Sequence, residues 1–333
     1  MLDFTPSIPF TPRGLLKHPH IQTIRGNWRS MEGIDYTRHR LETPDDDFID
    51  LDEPTVHSFE SVAADANTPV VLLLHGLGGS ARRGYMAEMY RQLAAANIRA
   101  IGMNYRGASE EINRQPRTYH SGAIDDIDFV LKWLRNRYPN VPLGTAGISI
   151  GGIMSLNLLG QRHVDVQAAV MISPAFDLAS SAARLVTTVY NSYLLRKLRE
   201  TVRLKAHQIG HLVDVPAILS AKTLIEFDDL CTAPLNGFNG APDYYEKCSP
   251  VRYVDQIKTP TLVIRAIDDP FLDPQDIPYQ ALADNPYITP FITPHGGHVG
   301  FGQDSLIRPT WWSHQQAVRF FQHQFQIKMP SST

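Results

Sequence analysis

The chain reads as an α/β fold, with a mostly parallel central sheet, helices on both faces and one mainly helical insertion. Three observations predict this. Residues 70–74 are a continuous apolar run of the kind buried on both faces of a parallel sheet. Segments with apolar residues at helical spacing alternate with such runs, which implies right-handed crossovers. Finally, Gly147-Ile148-Ser149-Ile150-Gly151 lies between an extended stretch and a helix-like one, the setting of a sharp strand-to-helix turn.

The elements follow in order. The first forty residues are punctuated by proline and contain His18-Pro19-His20-Ile21-Gln22-Thr23. Proline holds the two histidines extended and apart, so they read as packing residues rather than metal ligands. Residues 36–41 and 48–51 alternate as two antiparallel strands around Pro44-Asp45-Asp46-Asp47, whose three aspartates are expected to form a solvated turn. After the strand at 70–74 comes the glycine loop His75-Gly76-Leu77-Gly78-Gly79-Ser80, then a helix marked by Met86, Met89, Tyr90 and Leu93. A strand at 98–105, a helix marked by Ile124, Ile127, Leu131 and Leu134, and a strand at 142–148 lead to Ser149. A helix from Ile150 and a strand at 166–173 follow.

Regularity lapses between Pro174 and about Pro260, which we read as a lid set into the sheet domain. The expected division is 1–173 and 260–333 for the two parts of the core, the first with an N-terminal extension, and 174–259 for the lid. Residues 182–209 read as one long helix, and its basic cluster Arg196, Lys197, Arg199, Arg203 and Lys205 as a solvated outer face. The sheet resumes at Thr261, adds a strand at 287–292, and is followed by the loop His295-Gly296-Gly297-His298 and a closing helix with Val318, Phe321 and Phe325 as core contacts.

Composition narrows the functional classes. At 333 residues and 43% hydrophobic, the chain can bury a large core. A formal charge of -3 gives no basic excess for nucleic acid. No stretch approaches the roughly 18 apolar residues of a membrane span, and the N-terminus lacks the charged and apolar regions of a signal peptide, so the expected location is cytoplasmic. The two cysteines, Cys231 and Cys248, are too few for a disulfide framework or a zinc site and are expected to be free thiols.

The chemistry rests on Ser149. A strained residue at the tip of a strand-to-helix turn crowds its neighbours two positions away, and glycine at 147 and 151 relieves that crowding. A serine hydroxyl needs a base, and the base needs an orienting carboxylate. In hydrolase sheets the acid usually lies three residues beyond a small residue that ends the strand, and counting from Ala266 gives Asp269, with Asp268 as the alternative. Gly296 and Gly297 give His298 a mobile approach, which favours it over His295. The backbone amides of Ile150 and Leu77 are the expected oxyanion donors, and the order Ser, Asp, His is that of alpha/beta hydrolases. No cofactor or metal is expected.

The motifs HPHIQTI at 18–24, HGLGGS at 75–80, NYRG at 104–107, YHSG at 119–122, GISIGG at 147–152, TAPLNGF and DYY within 232–245, DDPF at 268–271 and HGGHVGF at 295–301 resemble the YheT-like branch of the alpha/beta-hydrolase superfamily. The resemblance covers nearly the whole chain. It implies carboxylic ester hydrolysis through Ser149, Asp269 and His298, and its aspartate stands directly before a proline, as Asp269 does. His120 and Asp125 have the HxxxxD spacing tied to acyl transfer in some relatives, although Asp125 and Asp126 equally suit the first turn of a helix. The expected partner is a small-molecule or lipid ester, with no nucleic acid, no stable membrane insertion, and a monomer favoured. Two other readings are a lipid-directed phospholipase or acyltransferase and a non-catalytic scaffold that kept the pocket.

Overall fold

Strand β3 (Val70–Leu74) lies beside β5 (Leu143–Ile148) at the middle of an eight-stranded sheet, in a computed structural model that describes residues 4–6, 9–59, 62 and 67–327. The other strands are β1 (Ile34–Glu42), β2 (Phe48–Val56), β4 (Arg99–Asn104), β6 (Ala168–Ile172), β7 (Thr261–Ala266) and β8 (Ile288–Thr293). Their order is β1-β2-β4-β3-β5-β6-β7-β8. From β3 to β8 all pairings are parallel, and β1 and β2 add an antiparallel hairpin at one edge. Each parallel strand thus delivers the chain to the same end of the sheet, where such folds place their sites.

Alternation along the strands builds two cores. Leu72, Leu74, Met171 and Val263 pack against the helices Ile124–Arg137 and Ile150–Gln161. Their neighbours Val71, Leu73, Val170, Ile172, Leu262 and Ile264 face the helices Gly84–Ala95 and Trp312–Gln324. Burial on both sides explains why these strands read as unbroken apolar runs.

Between β6 and β7 the chain is helical, and it has a small core of its own that includes Leu194, Val202, Ile218 and Phe227. The single helix expected over 182–209 is instead two, Leu178–Val186 and Val189–Ile209. Thr187 and Thr188 lie at the break and donate their hydroxyls to the carbonyls of Arg184 and Leu185, giving the backbone a local alternative to helix. Nor is the basic cluster one solvated face. Lys205 is fully buried, with its ammonium donating to Asn113 Oδ1 at 2.7 Å and the Gln115 carbonyl at 2.6 Å, and burial pulls its pKa down to about 8.

The acidic turn between β1 and β2 also departs from expectation. Asp47 is fully buried and accepts from Arg106 at 2.8 Å, while Arg106 also pairs with Asp45 at 3.0 Å and with Asp126 at 2.8 Å. Consecutive acids looked solvated because their cation is supplied 59 residues away in sequence. Arg106→Met is expected to cost about 3–5 kcal/mol of unfolding free energy in denaturant titrations, since it strands buried carboxylates without a counter-charge. A cost under about 1 kcal/mol would show that the cluster holds without it.

Candidate active site

The strand β5 ends at Ser149, whose backbone has φ 56° and ψ −121° before the helix Ile150–Gln161 begins. For a non-glycine residue this conformation is costly, about 1–3 kcal/mol, and persists only where the surroundings impose it. The surroundings are close backbone. A β-carbon at Gly147 would overlap the Gly151 carbonyl, and one at Gly151 would overlap the Leu74 carbonyl of β3. Glycine at both places is what lets the turn be this tight. Ser149 is further pinned by its amide donating to the Ile172 carbonyl of β6 at 2.9 Å.

His298, on the loop after β8, places Nε2 2.9 Å from Ser149 Oγ. Its Nδ1 lies 2.8 Å from Asp269 Oδ2, on the loop after β7. With the Nδ1 proton donated to the carboxylate, Nε2 is left as an acceptor for the serine O–H. Asp269 is fully buried, and its Oδ1 accepts from the Phe271 amide at 2.8 Å, so both oxygens are fixed. The buried Arg265 guanidinium stands 3.3 Å from Asp269 Oδ2 and 2.9 Å from Asp276. Buried carboxylates of this kind stay charged only with such partners.

The alternatives named from sequence go elsewhere. Asp268 Oδ2 lies 3.2 Å from His295 Nδ1, and its Oδ1 accepts from the Gly297 amide at 2.9 Å, so this pair braces the loop that carries His298. Burial raises the Asp268 pKa. Asp125 pairs with Arg162 on an exposed face, and no hydrogen bond joins it to His120. His120 itself lines the cavity, with Nδ1 accepting from the Gly122 amide at 3.1 Å, and burial drops its pKa to about 4. His75 is buried against Tyr105, and its Nδ1 lies 2.8 Å from the Gly76 carbonyl. Cys231 and Cys248 are buried free thiols.

Leu77 and Ile150 both line the cavity above Ser149. Around Leu77 the amides are engaged: Gly76 donates to Tyr85 Oη, Gly78 to Tyr119 Oη, and Gly79 to the Gly76 carbonyl. Among the described residues neither the Leu77 nor the Ile150 amide has an acceptor. Free donors at the start of a helix and in a glycine loop suit a developing negative charge.

Several contributors escaped the sequence reading. Thr23 Oγ1 accepts from the His298 amide at 2.9 Å, and Gln22 exchanges hydrogen bonds with Gly302, donating to its carbonyl at 2.9 Å and accepting from its amide at 2.8 Å. The helix Pro19–Asn27 is therefore the seat of the histidine loop, which gives the HPHIQTI motif a structural role. Phe271 stacks on the His298 ring at 4.1 Å with only 4° between planes, and Tyr190 packs on Phe271 at 4.5 Å. Both motifs were visible as strings; their partners were not.

A sheet of this order with a strained serine, a histidine and a carboxylate at its carboxyl end defines an alpha/beta hydrolase. A family model described as Serine aminopeptidase, S33, matches residues 65–286. YheT of Escherichia coli (strain K12), an esterase by name, is 34% identical over 319 residues, spanning 93% of this chain and 92% of its own. Phospholipase ABHD3 of Mus musculus is 30% identical over 275 residues, 80% of this chain and 67% of its own. The chain belongs to this esterase- and lipase-type family of alpha/beta hydrolases. Among solved structures, the Pyrococcus furiosus esterase Pf2001 aligns with a TM-score of 0.57 at 17% identity, covering 88% of this chain and 93% of that one, a likeness of fold. Among the described residues, no helix is long and apolar enough to cross a membrane.

Proposed function

We propose that the chain hydrolyses carboxylic esters through an acyl-enzyme on Ser149. The observation that carries this reading is the continuous path from Ser149 Oγ to His298 Nε2 at 2.9 Å and from His298 Nδ1 to Asp269 at 2.8 Å. His298 takes the serine proton as Oγ attacks the ester carbonyl, and the oxyanion is met by the amides of Leu77 and Ile150. The tetrahedral intermediate collapses, and the alcohol leaves with the proton from His298. Water then gives its proton to His298 and attacks the acyl-enzyme, releasing the acid and restoring Ser149. Asp269 holds the imidazole tautomer and supports the imidazolium while it exists.

The segment 174–259 acts in this reading as a lid. It supplies Leu194, Lys197, Phe227 and Tyr245 to a cavity of about 370 Å³ that also contains Ser149 and His298. That size suits short- to medium-chain acyl esters, and no bound group is needed for the steps above. A fluorophosphonate probe is expected to label the native protein with one adduct, located on Ser149 by peptide mass mapping, and excess ester should protect it. Labelling elsewhere, or none, would remove the acyl-enzyme.

A lipid substrate is the second reading, in keeping with the phospholipase named among the relatives. Trp28 and Tyr193 border the cavity and are 72% and 46% exposed, so apolar side chains ring its approach. Running esters of increasing chain length with and without phospholipid vesicles separates the two: stimulation by vesicles supports a lipid surface, and indifference supports dissolved esters.

A further inference from the structure

Deep in the wall supplied by the insertion, one acidic side chain faces the same cavity as Ser149. Asp228 lies at the start of a one-turn π-helix, Asp228–Thr232, a geometry that widens the helix and is frequent at functional positions. Its Oδ1 accepts from Thr232 Oγ1 at 2.7 Å and its Oδ2 from Tyr245 Oη at 2.8 Å. Leu224, Phe227 and Cys231 beside it are apolar or nearly so, so the carboxylate, with the Thr232 and Tyr245 hydroxyls on it, forms a polar patch in that wall. The steps proposed for ester hydrolysis leave it without a role.

We propose that Asp228, with Thr232 and Tyr245, forms a subsite that binds a hydroxyl group carried by the ester substrate away from its scissile bond. A carboxylate can accept about four hydrogen bonds, and two are used by its neighbours, so acceptor positions remain. Thr232 and Tyr245 each spend their hydroxyl hydrogen on Asp228 and keep lone pairs of their own, so the trio is an acceptor surface that asks for a donor. A neutral hydroxyl is the donor that fits. Arg83, Arg106 and Lys197 line the same cavity, so a cationic group would meet like charges there. Burial raises the Asp228 pKa to about 6, and its charge is already shared between two neutral donors. In an apolar enclosure, an unmet acceptor costs more than a met one gains, so an ester lacking the hydroxyl is disfavoured as much as a hydroxylated one is favoured.

The proposal rests on Ser149 as the nucleophile, and its test is a ratio within that activity. The probes are matched pairs of short- and medium-chain esters, with and without a terminal hydroxyl, placed on the acyl side in p-nitrophenyl esters and on the alcohol side in alkyl esters. For the best-fitting chain length, kcat/KM is expected to favour the hydroxylated member by about tenfold or more. Asp228→Asn and, independently, Tyr245→Phe should shrink that ratio severalfold toward one. A purely structural role for Asp228 would lower both members together and leave the ratio in place, which overturns the proposal. So does a parent enzyme with no preference at any chain length, or one that prefers the terminal ammonium analogue. Absence of turnover for every ester would strike instead at the esterase reading, so the two failures are distinct.

Discussion

Ser149→Ala is expected to lower kcat for p-nitrophenyl ester hydrolysis on the order of 10⁵–10⁶-fold, the scale seen when the nucleophile of a serine triad is removed. The residual rate should come from the free Leu77 and Ile150 amides and from binding alone. Folding should be retained, because the elbow is imposed by the approach of Gly147 to Gly151 and of Gly151 to Leu74, and neither contact involves the hydroxyl. Thermal unfolding of the variant checks this directly. Ester turnover that survives the substitution in homogeneous protein would assign the chemistry to another group.

The second large effect is at the carboxylate. Asp269→Asn is expected to reduce kcat about 10⁴-fold, against about 10²-fold at most for Asp268→Asn. The difference follows from what each oxygen holds. Asp269 accepts from Phe271 N–H on one oxygen, and its other oxygen faces both His298 Nδ1 and Arg265. An amide can satisfy only one side. In one orientation its NH₂ opposes Phe271 N–H, and in the other it opposes the donors of His298 and Arg265; in either, the charge that supports the imidazolium is gone. Asp268 has a lesser task, bracing Gly297 and His295. Its loss loosens the loop without changing the His298 tautomer. Stopped-flow or steady-state rates for the two variants side by side decide the assignment, and a larger loss at Asp268 would reverse it.

How much of this was legible in the sequence depends on how far each signal had to reach. The parallel strands were legible because burial on both faces leaves a short apolar run bounded by turn residues, as in Val70–Leu74. The elbow was legible because its steric requirement falls on residues two positions from Ser149. By contrast, the fate of a charge cannot be read from its neighbours. Asp47 and Lys205 sit in polar stretches yet are buried, because Arg106 and Asn113 reach them from other elements. The break at Thr187 and Thr188 was hidden for a different reason. Helical spacing continues across it, and only the hydroxyl-to-carbonyl bonds reveal the competition. Thr23 and Phe271 stood inside motifs that were visible, but a motif does not say what it touches.

The hydrogen bond from the His298 amide to Thr23 ties together points 275 residues apart. The stretch matched by the family model, 65–286, contains neither of them. The proposed nucleophile Ser149 therefore relies on a histidine whose loop is seated by a helix far from it in sequence. In the proposed mechanism the hydroxyl at 149 is activated only once the loop that carries His298 has docked against the helix Pro19–Asn27. Under that mechanism the competence of the site depends on a contact outside the matched stretch, and substitutions in the helix Pro19–Asn27 are expected to lower ester turnover.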